Sequence, residues 1–482
     1  MLEEARLATR ALSEFATHII NPTVRLGVTG LSGAGKTVFI TALIHALLHG
    51  GRLPLFEALA GGRIARGRLE PQPDDAVPRF DYEGHARALV AERCWPHSTR
   101  RISELRLAIE YQSARGSARE RTLTLDIVDY PGEWLLDLPL LTMSYAQWSR
   151  QALDLSRALP RRGLAARWHA HLETLRPDGP QDEQAALVAA RLFTQYLRAC
   201  RDERYALSLL PPGRFLMPGE LEGSPALTFA PLDLTDDAAV PAGSLRAMME
   251  RRFESYRHVV VQPFFREHFA RLDRQVVLVD MLTALNAGPD AVRDLEQTLA
   301  AILSCFRIGR NSYASALMRP RIDRILFAAT KADHLHHTSH DRLEAILARM
   351  TERAGAQAAF AGATVDVVAL AAVRTTREAT IERARDRLPG ILGTPAAGER
   401  AGAETFSGQS DAAVFPGDLP DNADALFAAD APAFRGSSGG DPHQADLRFV
   451  RFRPPASPAG GATLPHIRLD RALQFLIGDR LA

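Results

Sequence analysis

Gly30-Leu31-Ser32-Gly33-Ala34-Gly35-Lys36-Thr37 fits the pattern GxxxxGK[ST]. In that pattern a glycine-rich turn folds backbone N–H groups around phosphates and opens a helix whose N-terminus adds partial positive charge. The flanks agree: Val24 to Thr29 reads as a short strand and Val38 to Ile44 as the following helix. This P-loop reading assigns the backbone of Ser32, Gly33, Ala34, Gly35 and Val38 to phosphate contacts. Lys36 would reach the β- and γ-phosphates, and the Thr37 hydroxyl would hold Mg²⁺.

The 482 residues are enough for two or three domains, and 46% hydrophobic with 24% charged residues is an ordinary globular composition. A formal net charge of +1 supplies no overall field toward nucleic acid or anionic lipid, so no nucleic-acid partner is expected. Cys94, Cys200 and Cys305 lie far apart and match no metal spacing, which fits buried thiols in a reducing compartment; the cytoplasm is expected. The start Met1-Leu2-Glu3-Glu4 has neither the basic nor the apolar part of a secretory signal, and no transmembrane span is expected. Of 58 basic residues only Lys36 and Lys331 are lysines. A chain that otherwise uses arginine keeps lysine where a slim ammonium on a flexible stem is needed.

Along the chain, residues 3 to 20 carry apolar side chains at spacings of three and four and read as an amphipathic helix. Residues 50 to 92 give no legible pattern. Two strands follow, Glu104 to Tyr111 and Arg121 to Val128, the second ending in Asp129-Tyr130-Pro131-Gly132. In nucleotide switches a DxxG turn at a strand end places its carboxylate near Mg²⁺ and its glycine N–H near the γ-phosphate, which assigns Asp129 to the metal and Gly132 to the nucleotide. Asp126, further back in the strand, ranks below Asp129. Helices are expected over Leu153 to Leu159, Leu164 to Leu175, Gln184 to Arg201 and Ser244 to Tyr256.

The α/β pattern resumes with the buried run Gln275 to Asp280, a helix from Asp290 to Phe306 and the strand Arg324 to Ala329, which ends in Thr330-Lys331-Ala332-Asp333. This matches [NT]KxD. An ionised Asp333 would accept hydrogen bonds from guanine N1–H and the 2-amino group, and the Lys331 stem would cover the base. Adenine offers an acceptor at N1 and lacks that amine, so it leaves the carboxylate poorly paired. After a helix from His340 to Ala354 and a strand from Val365 to Leu370, the loop Ala371-Ala372-Val373 is placed to supply a backbone N–H to the guanine carbonyl, with Ala372 the candidate and Val373 beside it. His334, His336, His337 and His340 match no standard metal spacing and read as a solvated loop with capping histidines. Leu447 to Phe452 reads as a strand and Leu469 to Leu481 as a terminal helix.

The P-loop, the run Asp129-Tyr130-Pro131-Gly132-Glu133-Trp134-Leu135-Leu136-Asp137-Leu138-Pro139 and Thr330 to Asp333 together resemble the YcjX-like family of bacterial P-loop proteins. Cys94-Trp95-Pro96 to Glu104, Pro263 to Phe269, Phe415 to Pro420 and Leu464 to Asp470 strengthen the likeness, which covers nearly the whole chain. The resemblance implies a stress-associated, GTP-binding cytoplasmic protein, working near the inner membrane with a membrane-protein partner. It places Thr99 in switch I, contacting Mg²⁺ and the γ-phosphate. Glu133 then stands just after DxxG, where small GTPases carry a water-orienting glutamine. A carboxylate there orients water or acts as base but repels the γ-phosphate, so slow hydrolysis is expected. Arg100 or Arg101 is a candidate arginine finger in cis.

The order of elements predicts a Ras-like P-loop NTPase fold: a doubly wound, mostly parallel sheet with one antiparallel edge pair and an inserted, mainly helical domain. Residues 1–137 and 261–393 would form the GTP-binding domain, 138–260 the insertion, 394–445 a Gly/Pro/Ser-rich surface segment, and 446–482 a strand and helix packed on the core. The expected ligands are GTP or GDP with Mg²⁺. A P-loop kinase acting on a small acceptor and a nucleotide-stabilised binding module with little hydrolysis are the alternatives; the sequence leaves the oligomeric state open.

Overall fold

Strand β1 (Thr23–Gly30) feeds the P-loop and sits near the middle of a seven-stranded sheet. The computed structural model describes residues 22–31, 33–97, 99–114, 120–234, 240–304, 322–360, 362–383, 386–401, 404–427, 449–456 and 463–482. The helix expected over residues 3 to 20, Ser32 and Cys305 lie outside them.

The sheet runs β2 (Ile64–Glu70), β3 (Ser103–Gln112), β4 (Glu120–Asp129), β1, β5 (Arg274–Val279), β6 (Arg324–Ala329), β7 (Thr364–Ala369). The strands from β4 to β7 in this order are parallel, while β3 pairs antiparallel with β4 and β2 antiparallel with β3. The expected antiparallel edge pair is therefore three strands wide. Its outer member, β2, was illegible because Arg66, Gly67 and Arg68 break any apolar alternation; its outer position leaves half its surface to solvent.

Alternation along the parallel strands divides the core between two faces. Val276, Leu278, Leu326 and Ala328 point to one face with helix α1 (Lys36–His49) and the terminal helix α10 (Leu469–Ile477). Val277, Val279, Ile325, Phe327 and Ala329 point to the other with α7 (Met281–Ala287), α8 (Pro289–Ser304) and α9 (His340–Phe360). Nearly every side chain of α1 is buried, as an all-round apolar helix requires. It is covered by β2 and α2 (Tyr82–Val90), while α10 packs on β6 and shares the same buried cluster.

Between β4 and β5 run α3 (Tyr145–Arg157), α4 (Arg161–Leu172), α5 (Glu183–Arg201) and α6 (Leu245–Tyr256). Their apolar faces do not close on themselves alone. They form one cluster with Val128, Tyr130, Trp134, Leu135 and Leu138, so the strand end carrying DxxG is built into the core of the helical segment. Two hydrogen bonds fix the join: Gly213 N–H donates to Asp137 Oδ1 at 2.7 Å and Tyr256 O–H to Asp137 Oδ2 at 2.7 Å.

Beyond β7, β8 (Arg377–Arg383) and β9 (Asp386–Gly393) form a hairpin, to which Ala412–Val414 adds a third antiparallel strand. In the range 394–445, Phe406, Val414, Leu419 and Leu426 are buried; residues 402–403 and 428–448 lie outside the described set. Of the strand expected over Leu447 to Phe452, residues 449–452 are described. They form no ladder, only an isolated bridge between Phe452 and Pro395. The terminal helix ends at Ile477 and continues as a 3₁₀ turn, Gly478–Leu481.

Candidate functional site

The P-loop turns on two left-handed glycines, Gly33 (φ 79°) and Gly35 (φ 82°), the second being the N-cap of α1. Only glycine enters this region without strain, so the spacing of glycines is the spacing of the turn. Lys36 is buried and its ammonium donates to the Gly30 carbonyl at 2.7 Å, which folds the side chain back over the loop.

Three oxygen-bearing side chains converge beside it. Thr99 Oγ1 donates to Asp129 Oδ2 at 2.7 Å and lies 3.4 Å from Thr37 Oγ1. Asp129 is 2% exposed, and burial pushes its carboxyl up to about 6 against the opposing pull of Lys36 and the Thr99 hydrogen bond. Its Oδ1 is buried and has no hydrogen-bond partner. A buried carboxylate oxygen without a partner is costly, and an oxygen-preferring cation would satisfy it. Two hydroxyls and a half-paired carboxylate are the hard donors Mg²⁺ takes, so these residues fit the ion. Asp126, by contrast, is held in a bidentate ion pair by Arg106 at 2.6 and 2.8 Å.

Gly132 closes the phosphate end from the other side. A Cβ there would lie 1.9 Å from the Gly30 carbonyl oxygen, so the DxxG turn touches the P-loop backbone directly and any side chain would force them apart. Glu133 follows, 5% exposed, with Oε1 3.7 Å from Arg201 Nη1 at the end of α5. Trp134 is pinned by its indole N–H to the Met217 carbonyl at 2.9 Å and by the Arg214 guanidinium 3.1 Å above its ring.

At the base end, Lys331 takes a left-handed backbone (φ 61°) and its ammonium pairs with Asp280 Oδ2 at 2.6 Å. Burial pushes the Asp280 carboxyl up, but the Lys331 pair and the hydrogen bonds from Thr283 outweigh it and hold the group below the usual range. Asp333 is 3% exposed, and its Oδ2 accepts from Thr375 N at 2.8 Å and Thr375 Oγ1 at 2.5 Å. Thr376 Oγ1 donates to the Asp333 carbonyl. The loop after β7 is braced by the C-terminal segment: Ala371 bridges Ile467 and Arg374 N donates to the Pro465 carbonyl at 2.6 Å.

A cavity of about 460 Å³ joins the two ends. It is lined by Gly33, Ala34, Gly35, Lys36, Thr37, Val38, Thr99, Arg100, Glu133, Thr330, Lys331, Asp333, Ala372 and Val373. Asp129 stands behind Thr99, Gly132 lines an adjoining cavity of about 430 Å³, and Arg101 is exposed beside Arg100. Lys36 and Lys331, the two lysines of the chain, face the same space.

Four residues on these walls were not singled out for the site from the sequence. Arg201 reaches it from the helical segment, one arginine among many and without a distinguishing pattern. Asp280 had a signal, a lone charge ending a buried parallel strand. Trp95 and Phe452 narrow the mouth, the indole N–H donating to the Phe452 carbonyl at 2.7 Å while the Phe452 ring meets buried His334 edge-on at 5.5 Å. The Trp95–Phe452 bond joins segments over three hundred residues apart.

The profile of the YcjX-like family, DUF463, matches residues 24–481. A relative from Escherichia coli K12, named Ras-like GTPase YcjX, is 38% identical over 472 residues, 95% of this chain and 96% of its own length. A second protein of that name, from Shewanella oneidensis, is 36% identical over 485 residues, covering 95% of this chain and 94% of the relative.

Proposed function

This chain belongs to the YcjX-like family, and from that premise we propose that it binds GTP with Mg²⁺ in the cavity at the C-terminal ends of the parallel strands and hydrolyses it slowly to GDP and phosphate. The observation that carries the reading is the single cavity walled by Lys36 and Thr37 at one end and by Lys331 and Asp333 at the other. Phosphate-binding and guanine-reading residues then line one cavity.

Thr37, Thr99 and Asp129 would hold Mg²⁺, which when bound neutralises charge on the β- and γ-phosphates. The P-loop N–H groups and Lys36 hold the triphosphate. Gly132 would give its N–H to the γ-phosphate, adding a phosphate-dependent tie to the contact that the DxxG turn already makes with the P-loop backbone. Because this turn also forms part of the core of the helical segment, loss of phosphate would loosen the contact that couples the segment to the nucleotide. Glu133 orients the attacking water, and Arg201 offsets the repulsion between its carboxylate and the γ-phosphate. Arg100 remains the candidate arginine finger, on an exposed stretch lining the cavity.

The Glu133 carboxylate also favours a second reading, a nucleotide-stabilised binding module with little turnover. Affinity for GTP against ATP and single-turnover release of γ-phosphate separate the readings. The expected result is a preference for GTP of about a hundredfold or more with slow but measurable release. Equal affinity for ATP overturns the base-reading assignment, and GTP binding without release selects the binding module. The family resemblance carries the further proposal of a stress-associated role beside an inner-membrane partner; among the described residues no helix is long and apolar enough to cross a membrane.

A further inference from the structure

His336, His337 and Glu378 bring three metal-ligating atoms within 4.8 Å of one another on the flank of the base end. The histidines come from the turn after Thr330 to Asp333, whereas Glu378 lies on β8, 41 residues beyond His337. His336 Nε2 is 3.0 Å and His337 Nδ1 3.3 Å from the same oxygen, Glu378 Oε2. Ligands about 2.0–2.2 Å from a tetrahedral zinc ion are separated by about 3.3–3.5 Å, the edge of that tetrahedron. The 3.3 Å separation already has this length, and the 3.0 Å separation is somewhat shorter.

The groups behind the ligands are arranged as metal ligands require. His336 Nδ1 lies 2.9 Å from Thr338 Oγ1. With the proton on Nδ1 and donated to that hydroxyl, the Nε2 lone pair faces Glu378, the outer-shell arrangement that fixes a ligating tautomer. Arg374 Nη2 holds the other carboxylate oxygen, Oε1, at 3.1 Å and leaves Oε2 to the histidines. His337 is 64% exposed, so the site is open to solution and has room for a water as fourth ligand.

We propose that His336, His337 and Glu378 bind a divalent transition-metal ion of the zinc class and that the ion clamps the base end of the cavity. Two imidazoles and one carboxylate are the donors such an ion prefers, and they differ from the all-oxygen set at Asp129, which suits Mg²⁺. The clamp follows from the chain path. Glu378 is two residues beyond Thr376, and Thr375 and Thr376 hold Asp333. One ion would join the turn carrying Asp333 to the strand that orients it. His336 Nδ1 also caps its turn, accepting from Thr338 N–H at 3.5 Å; binding a metal at Nε2 would exchange that cap for the bond to the Thr338 hydroxyl.

The site itself is independent of the nucleotide reading; the clamp rests on it. Full-length, chelator-treated protein is titrated with Zn²⁺ in excess Mg²⁺ and without nucleotide, by calorimetry, and with Co²⁺, whose visible spectrum reports tetrahedral nitrogen and oxygen ligation. We expect saturable one-site binding that His336→Ala, His337→Ala and Glu378→Gln each weaken by about tenfold or more. His337 is exposed, so its variant keeps the fold, and the rise in melting temperature with Zn²⁺ should vanish in it. Binding unchanged in all three variants, meaning an adventitious ion only, or no Zn²⁺ binding, overturns the site. With Mg²⁺ held constant, Zn²⁺ should tighten GDP binding by about fivefold in the wild type and not in His337→Ala. Zn²⁺ binding with unchanged GDP affinity overturns the clamp, whereas absence of any GDP binding overturns the nucleotide reading and leaves the metal result intact.

Discussion

Asp129 and Asp333 are both buried carboxylates at the ends of parallel strands, and they are held in opposite ways. At the phosphate end, Asp129 has one oxygen on Thr99 and the other on nothing, and burial lifts its proton affinity to about 6. At the base end, Asp333 accepts two bonds from Thr375 on one oxygen, and its neighbour Lys331 is already paired with Asp280. The phosphate end is therefore electrostatically incomplete without a cation and phosphates, and binding there relieves a cost already built into the fold. The base end is oriented in advance, so it contributes selectivity more than it gains stability.

The largest effect should come from the phosphate end. Lys36→Ala is expected to weaken GTP and GDP by about a hundredfold or more, read by titration with a fluorescent nucleotide; unchanged affinity would mean that phosphates do not sit there. Next comes the base end: Asp333→Asn should weaken GTP by about tenfold or more and strengthen xanthosine triphosphate, because the amide donates to the carbonyl that replaces the 2-amino group. Loss of both nucleotides together would show that Asp333 serves the loop and not the base. A smaller effect tests Arg201. Arg201→Ala leaves Glu133 uncompensated beside the γ-phosphate and should lower GTP affinity relative to GDP by about fivefold, with Glu133→Gln in the same chain restoring it. If the second change restores nothing, the pair does not act on the γ-phosphate.

The smallest effect uses a third buried carboxylate, Asp137, which accepts from both Gly213 and Tyr256 and yet is pushed up to about 6 by burial. The folded protein keeps that proton to about pH 6, whereas the unfolded chain releases it near the ordinary value of 3.8. The stabilising contribution is complete below 3.8 and is lost as pH rises through about 6. Relative to Asp137→Asn, the wild type should therefore lose on the order of 1 kcal/mol between pH 5 and pH 8, measured as the difference between their melting curves. A flat difference would mean that burial does not control this carboxyl, and would weaken the same argument for Asp129.

Much of this was legible from local pattern. The glycines at 30, 33 and 35 with Lys36, the DxxG after a strand and the TKxD after another each encode a backbone shape or a donor set over a few residues. Their strands were legible because burial on both faces leaves unbroken apolar runs such as Val276 to Val279. β2 was not, since half its surface faces water. Arg201 was not, because its importance lies in where α5 ends relative to Glu133, and nothing in the sequence around it records that distance.

The sequence by itself determined the Ras-like α/β sheet, the order of its motifs and the chemistry each could supply, because all three follow from short-range periodicity, turn conformation and side-chain type. Only the tertiary structure decided that the DxxG turn is built into the core of the helical segment, that the terminal helix packs on β6 on the P-loop helix's side of the sheet, and that Glu378 meets two histidines beside the base loop. Those contacts join residues tens to hundreds of positions apart, and they exist only once the core has closed around them.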